Sequence, residues 1–404
     1  MSETTARVRR RRVFYIPGYD PFHPRRYREL YRREGAAQAA LSGYTLAVRA
    51  REGADFGWQV RAGIEGAKVE TEVEVLTWSD IVRASMDRGI AATYAQMLTA
   101  IRVYFGSGAI FRLARLRKGP ILAGLYPVGM LTLQALLALA AGAGGFALAT
   151  PALPGWAAGG LGGAAALGLL WGFRRIDARL YAHYLMHDLA FTAQARGAYP
   201  AVLEARLRDF RQRLRAAMAP DIDELLLVGH STGAHLAVSL LADLLREGLP
   251  DRPALSLLTL GQSVPMASFL PAADRLRADL RLLAAADRIA WVDVTAPGDG
   301  CAFALCDPVA VTGVAPPDKR WPLVLSCAFT RTLRPETWQR LRRRYFRLHF
   351  QYLCAFDALA GRPDDYDYFR ITAGPMTLAA RFAARPPSKS RIETPTSGYT
   401  SRAA

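Results

Sequence analysis

Cysteine is scarce in this chain, with four in 404 residues: Cys301, Cys306, Cys327 and Cys354. None forms a C-x-x-C pair and no Cys/His cluster has zinc-ligand spacing, so a disulfide-stapled scaffold and a zinc module are excluded. Free, mostly buried thiols in a reducing compartment are expected, with no metal and no cofactor. The N-terminus, MSETTARVRRRRVFYIPG, has no long apolar run and does not read as a secretory signal. No recognised nucleic-acid module is present and few aromatics interleave with the arginines, so no nucleic-acid partner is expected. Charge itself is missing from Gly119 through Phe173.

What is abundant is positive charge and apolar side chains. Lys and Arg number 52 against 35 Asp and Glu, a net charge of +17, and 51% of residues are hydrophobic. Such a balance favours an anionic partner, and beside an apolar chain that partner is the face of an anionic bilayer. The uncharged stretch holds two apolar runs, Ile121–Leu148 and Trp156–Phe173, separated by ATPALPG. A membrane helix needs ~20 apolar residues, and the Pro/Gly linker is a turn signal, so the pair reads as a transmembrane helical hairpin. Gly155, Gly159 and Gly163 recur at the small-residue spacing of packed membrane helices. Arg112, Arg115, Arg117 and Lys118 precede the hairpin, and Arg174, Arg175 and Arg179 follow it. Positive flanks place both ends on the cytoplasmic side of a membrane, expected to be a bacterial inner membrane. A Gly-x-Gly-x-x-Ala match at Gly160–Ala165 has no preceding strand and carries no weight as a nucleotide loop.

The rest reads as one α/β domain in two pieces, 13–110 and 181–383, around a hairpin region 111–180. It is flanked by a basic N-terminal arm, 1–12, and a polar, Pro/Ser/Thr-rich tail, 384–404, expected to be disordered. VFYIPG (Val13–Gly18) is a short apolar strand ending at glycine. VETEVEVLTW (Val69–Trp78) alternates with period two. Glu224–Gly229, Ala254–Gly261 and Ile289–Thr295 are further strand candidates. Val202, Leu203, Leu207, Phe210, Leu214 and Met218 form one helical stripe. Strands alternating with helices predict a mostly parallel sheet covered on both faces.

The most informative stretch is LLLVGHSTGAHL, Leu225–Leu236. A Gly-x-Ser-x-Gly match is weak alone, but this one follows an apolar strand and opens an amphipathic helix. A sharp strand-to-helix turn strains the serine and leaves no room for a Cβ at Gly229 or Gly233. In these residues, with VFYIPG as the strand before an oxyanion loop, LTLGQSVP after the elbow and WVDVTAPGDG as an acid-bearing strand and loop, the chain resembles the lipase- and esterase-like α/β-hydrolases. The hairpin insertion is no part of that superfamily pattern. The resemblance implies a Ser231 nucleophile in an elbow of Gly229, His230 and Gly233, followed in order by an acid and a histidine. Of the six histidines only His235 and His349 follow Ser231, and His235 lies one turn down the elbow helix. His349 is therefore the candidate base, although TWQRLRRRYFRLHFQYL reads as helix where relatives have a loop. Asp299 in APGDG is the first candidate acid, Asp307 the second and Asp293 the third. The oxyanion donors implied are the backbone N–H groups of Thr232 and Tyr19.

His23 lies in the same loop as Tyr19 and reads as a packed or exposed loop residue. His183 and His187 have helical spacing but lack the glutamate of a zinc-hydrolase motif, so no metal is assigned to them. Arg9–Arg12 and the cluster Arg340, Arg342, Arg343 and Arg344 both read as attraction to lipid headgroups. The expected function is a membrane-anchored serine hydrolase acting on an ester or thioester, of a lipid or other acyl chain, through an acyl-enzyme. Its alternatives are an acyltransferase using the same residues and a non-catalytic membrane scaffold on the same fold.

Overall fold

The computed structural model describes residues 7–51 and 56–402. Eight strands form one mixed sheet: β1 (Arg10–Ile16), β2 (Thr45–Ala50), β3 (Gly57–Ile64), β4 (Ala67–Val75), β5 (Glu224–His230), β6 (Ala254–Leu260), β7 (Ile289–Thr295) and β8 (Leu323–Ser326). Their order is β2-β3-β4-β1-β5-β6-β7-β8. From β4 to β8 all neighbours are parallel, whereas β2, β3 and β4 pair antiparallel at one edge. The mostly parallel sheet is as expected; the antiparallel edge was not foreseen. From β1 the chain turns to one side of the sheet and later fills the other side from β5. The carboxyl ends of β1 and β5 thus flank a topological switch point, where loops diverge and leave a crevice.

Among the described residues, ten helices precede or directly follow the central strand β5: α1 (Arg25–Ser42), α2 (Ser79–Met86), α3 (Ile90–Gly106), α4 (Ala109–Leu116), α5 (Lys118–Ala149), α6 (Gly155–Arg175), α7 (Asp177–Leu180), α8 (Ala182–Gln194), α9 (Ala201–Ala216) and α10 (Gly233–Arg246). Alternate residues of the strands feed opposite faces. Phe14, Ile16, Leu225 and Leu227 pack under α9 and α10, while Val13, Tyr15, Leu226 and Val228 pack beneath α1. Each fully buried Leu contributes ~1.5–3 kcal/mol relative to exposure, so a one-residue slip of β5 would forfeit the core on both faces. On α9 the inward stripe is Leu203, Leu207, Phe210 and Leu214; Val202 turns outward and is exposed.

Helices α5 and α6 are both long and apolar enough to cross a membrane. At 1.5 Å per residue the 32 residues of α5 extend ~48 Å, more than a ~30 Å hydrocarbon core. Its first turns are rooted in the body: Ile121 and Leu131 are buried with Met97, Tyr104 and Met186 of α3 and α8. Beyond them the surface is apolar and bare, with Leu148 85% and Trp156 83% exposed. The two helices close on each other at glycines other than those the spacing suggested. A Cβ on Gly162 would sit 2.6 Å from the Gly142 carbonyl, whereas Gly155, Gly159 and Gly163 have open space around them. Small residues at every fourth position are a local pattern; which of them meet the partner helix depends on how the whole pair packs.

Two expectations at the chain ends are corrected. The last three residues of the basic arm are already strand β1, where Arg11 is fully buried and bonded to Glu224 at 2.6 Å. The tail is held against the body rather than loose. Ser388 N–H donates to Val324 O at 2.8 Å and Ile392 N–H to Leu305 O at 2.7 Å, and Arg277 Nε donates to Ser401 O at 2.6 Å. Its polar side chains remain largely outside while its backbone finds partners, an arrangement that composition does not encode.

Candidate functional site

Ser231 leaves β5 with φ +57°, a left-handed conformation that is costly for a serine and is tolerated only where the surroundings enforce it. The enforcement is visible. A Cβ on Gly229 would lie 2.7 Å from Ala234 Cα, and one on Gly233 would lie 2.3 Å from Ile16 O and 2.6 Å from Pro17 O. The loop after β1 therefore lies directly against the turn. Gly18 is required there for the same reason: its Cβ would be 2.9 Å from Ser231 Cβ. Ser231 N–H is anchored to Leu260 O at 2.9 Å.

A cavity of about 530 Å³ opens over this turn. Ser231, Thr232, Tyr19, His230, His235 and His349 all line it, together with Pro120, Ala123 and Gly124 from the first turns of α5. His349 is the last residue of a short helix, Tyr345–His349, that follows the final strand. Its Nδ1 lies 2.7 Å from Asp299 Oδ2, and its Nε2 is buried with no partner among the described residues. Asp299 is buried, which opposes its ionisation. His349, Cys301 N–H (2.9 Å) and the Tyr352 hydroxyl (2.9 Å) outweigh that penalty and hold the carboxyl below its ordinary range.

The other candidate acids stand elsewhere. Asp307 caps a helix, accepting from Val309 N–H and Ala310 N–H at 3.0 Å, and pairs with Lys319 at 2.7 Å. Asp293 accepts from the Thr259 hydroxyl at 2.6 Å inside the sheet, where burial pushes its carboxyl up to about 8. Neither meets a histidine.

Each remaining histidine is engaged in packing. His230 Nε2 donates to the His349 carbonyl at 3.0 Å, and burial followed by the His349 charge lowers its pKa to about 3, so it stays neutral and ties the turn at Ser231 to the backbone of His349. His235 stacks on Tyr199, whose hydroxyl lies 3.0 Å from its Nδ1; burial lowers its pKa to about 4. His187 Nδ1 meets Gln96 at 2.8 Å, and His183 on the same helix is buried. His23 is exposed, edge-on to Phe56. The four cysteines are free and three are buried. One cluster of metal-ligand type does form, Asp299, Cys301 and His349, but its carboxylate and Nδ1 already bond to each other.

The backbone N–H groups of Thr232 and Tyr19 form no hydrogen bond among the described residues, and both residues face the cavity. The Tyr19 loop is fixed by its own carbonyl, which accepts from the Tyr184 hydroxyl at 2.6 Å.

Sequence reasoning missed two supports. Tyr352 bridges Asp299 and the Ala296 N–H (3.1 Å), and Gly261, at φ +52°, leaves room for both Tyr352 and His349. A Cβ on Gly261 would lie 2.6 Å from the Tyr352 ring and 3.2 Å from the His349 ring. A glycine directly after the strand neighbouring the elbow was the only signal available. Set against known proteins, the chain matches no family model, no curated protein and no solved structure.

Proposed function

We propose that this chain is a membrane-tethered serine hydrolase of α/β-hydrolase type that cleaves an ester or thioester of an acyl chain. The observation that carries the reading is a serine held at positive φ by collision-forbidden glycines, sharing one cavity with a histidine whose Nδ1 is fixed by a carboxylate and whose Nε2 is free. His349 Nε2 takes the Ser231 proton as Oγ attacks the carbonyl carbon. Asp299 keeps the ring in the tautomer that leaves Nε2 unprotonated and stabilises the imidazolium that forms. The N–H groups of Thr232 and Tyr19 receive the oxyanion, a contribution of ~3–4 kcal/mol to the barrier for each donor of this kind. His349 returns the proton to the leaving alcohol or thiol, and water deacylates the enzyme by the same steps in reverse.

The hairpin supports a site at the cytoplasmic face of an inner membrane: α5 and α6 are long and apolar, and positive residues stand at both feet. The open, lined cavity favours an enzyme over a scaffold, for which a closed pocket is expected. Reaction with a fluorophosphonate probe tests the reading. The wild type labels, while Ser231→Ala abolishes labelling and His349→Ala slows it by at least about a hundredfold. A well-folded wild type that does not label refutes an activated serine.

A further inference from the structure

Three acids line the cavity, Asp20, Asp177 and Asp188, and the proposed reaction uses none of them. Asp188 lies on α8, the helix that follows the hairpin, and lines the cavity with Ser231 and His349. Every other acid there is committed. Asp20 accepts from Phe22 N–H (2.9 Å) and pairs with Arg26 (2.9 Å); Asp177 accepts from His183 N–H (2.9 Å) and Tyr184 N–H (3.1 Å). Asp299, outside the lining, is bonded to His349. Asp188 makes no hydrogen bond and no ion pair among the described residues. Burial pushes its carboxyl up to about 7, with only the charge of His349 acting in the other direction.

Three tyrosine hydroxyls of the same cavity are engaged elsewhere. Tyr104 donates to Met266 O at 3.1 Å, Tyr184 to Tyr19 O, and the Tyr19 hydroxyl meets Ser85. The remaining wall is largely apolar, including Leu185, Leu189, Met266 and Phe346. Asp188 is half-buried with its carboxyl open to the cavity, so a ligand that displaces water from it must supply a hydrogen-bonding partner or leave it unpaired. A cationic ligand group is disfavoured because Arg26 already lines the same space. A hydroxyl suits a carboxyl in either protonation state, since it both donates and accepts.

We infer that Asp188 binds a free hydroxyl on the alcohol portion of the substrate, which makes that substrate an acyl ester of a polyol. The apolar wall takes the acyl chain, Ser231 meets the ester carbonyl, and Asp188 reads the hydroxyl left unesterified. This inference rests on the hydrolase reading above, and its test separates the two.

The probes are glycerol monododecanoate and propyl dodecanoate, which share an acyl chain and differ in free hydroxyls, presented to the full chain in detergent micelles. The readout is the ratio of their kcat/KM values, with fluorophosphonate labelling of Ser231 run alongside. The wild type prefers the glycerol ester by about tenfold or more, a preference of the size a paired hydroxyl supplies. Asp188→Leu collapses the ratio toward one. Asp188→Asn, which keeps a donor and an acceptor, retains most of the preference. A wild type that labels but cleaves both esters equally, or neither, overturns the hydroxyl site alone. So does a ratio unchanged in Asp188→Leu, or, should that variant fail to fold, unchanged in Asp188→Ala. A wild type that neither labels nor cleaves overturns the serine reading, and the hydroxyl site with it.

Discussion

Two runs of arginine, alike in sequence, end in opposite circumstances. Arg10, Arg11 and Arg12 lie in β1 at the amino edge of the sheet and are paired with Asp221, Glu224 and Glu72. Arg340, Arg342, Arg343 and Arg344 have no carboxylate partner among the described residues. They lead into the helix Tyr345–His349, whose Tyr345 ring packs on Gly300; Gly300 in turn abuts Gly119 at the foot of α5. Arg174, Arg175 and Arg179 close the other side of that foot, also without carboxylates. The headgroup reading of the first run is therefore corrected. The charges of Arg10–Arg12 are taken up by strands β4 and β5 and by the loop before β5, whereas the exposed Arg9 side chain has no carboxylate partner among the described residues. The second run retains that reading as a proposal. Net charge says how much is present; only register says how much is free.

The contrast makes four measurable claims, in order of expected effect. Arg11→Met leaves Glu224 buried without its cation and should cost ~3–5 kcal/mol, read as a large fall in melting temperature in detergent. A stability unchanged by that substitution would break the comparison at its paired end. Replacing Arg342, Arg343 and Arg344 together by Ala should leave the melting temperature within a degree or two. In proteoliposomes it should abolish a rate advantage of anionic over zwitterionic bilayers, at ~1 kcal/mol per residue. Equal wild-type rates in both bilayers would break the unpaired end. Gly162→Val should prevent α5 and α6 from closing, whereas Gly159→Val should not, as read by the yield of monodisperse protein after extraction. Arg10→Ala, which removes a half-exposed pair, should change stability by no more than ~0.5–1 kcal/mol.

Much of the frame was legible because its signals are local. The apolar hairpin, the period-two alternation of β4 and the glycine-flanked serine are each complete within a few turns of chain. The order of serine, acid and histidine nominated Asp299 and His349, and these two do meet. What sequence did not show depends on neighbours far along the chain. Tyr352 matters because it reaches Asp299 across 53 residues, and Gly261 because two rings occupy the space its Cβ would take. The tail carries no periodicity, so nothing in it announced the backbone bonds that hold it. Asp188 simply follows His187 on a helix, and nothing in its sequence neighbourhood marks it. Its isolation appears only once the partners of Asp20, Asp177 and Asp299 are known.

The foot of α5 has a practical consequence. Because Pro120, Ala123 and Gly124 line the cavity and Gly119 backs onto the loop beside Asp299, the apolar hairpin is also masonry of the candidate site. Excising residues 119–173 to obtain a protein that needs no detergent would leave Ser231 in a trough open to water on one side. A clipped protein of that kind would be easy to handle and a poor guide to what the intact one accepts.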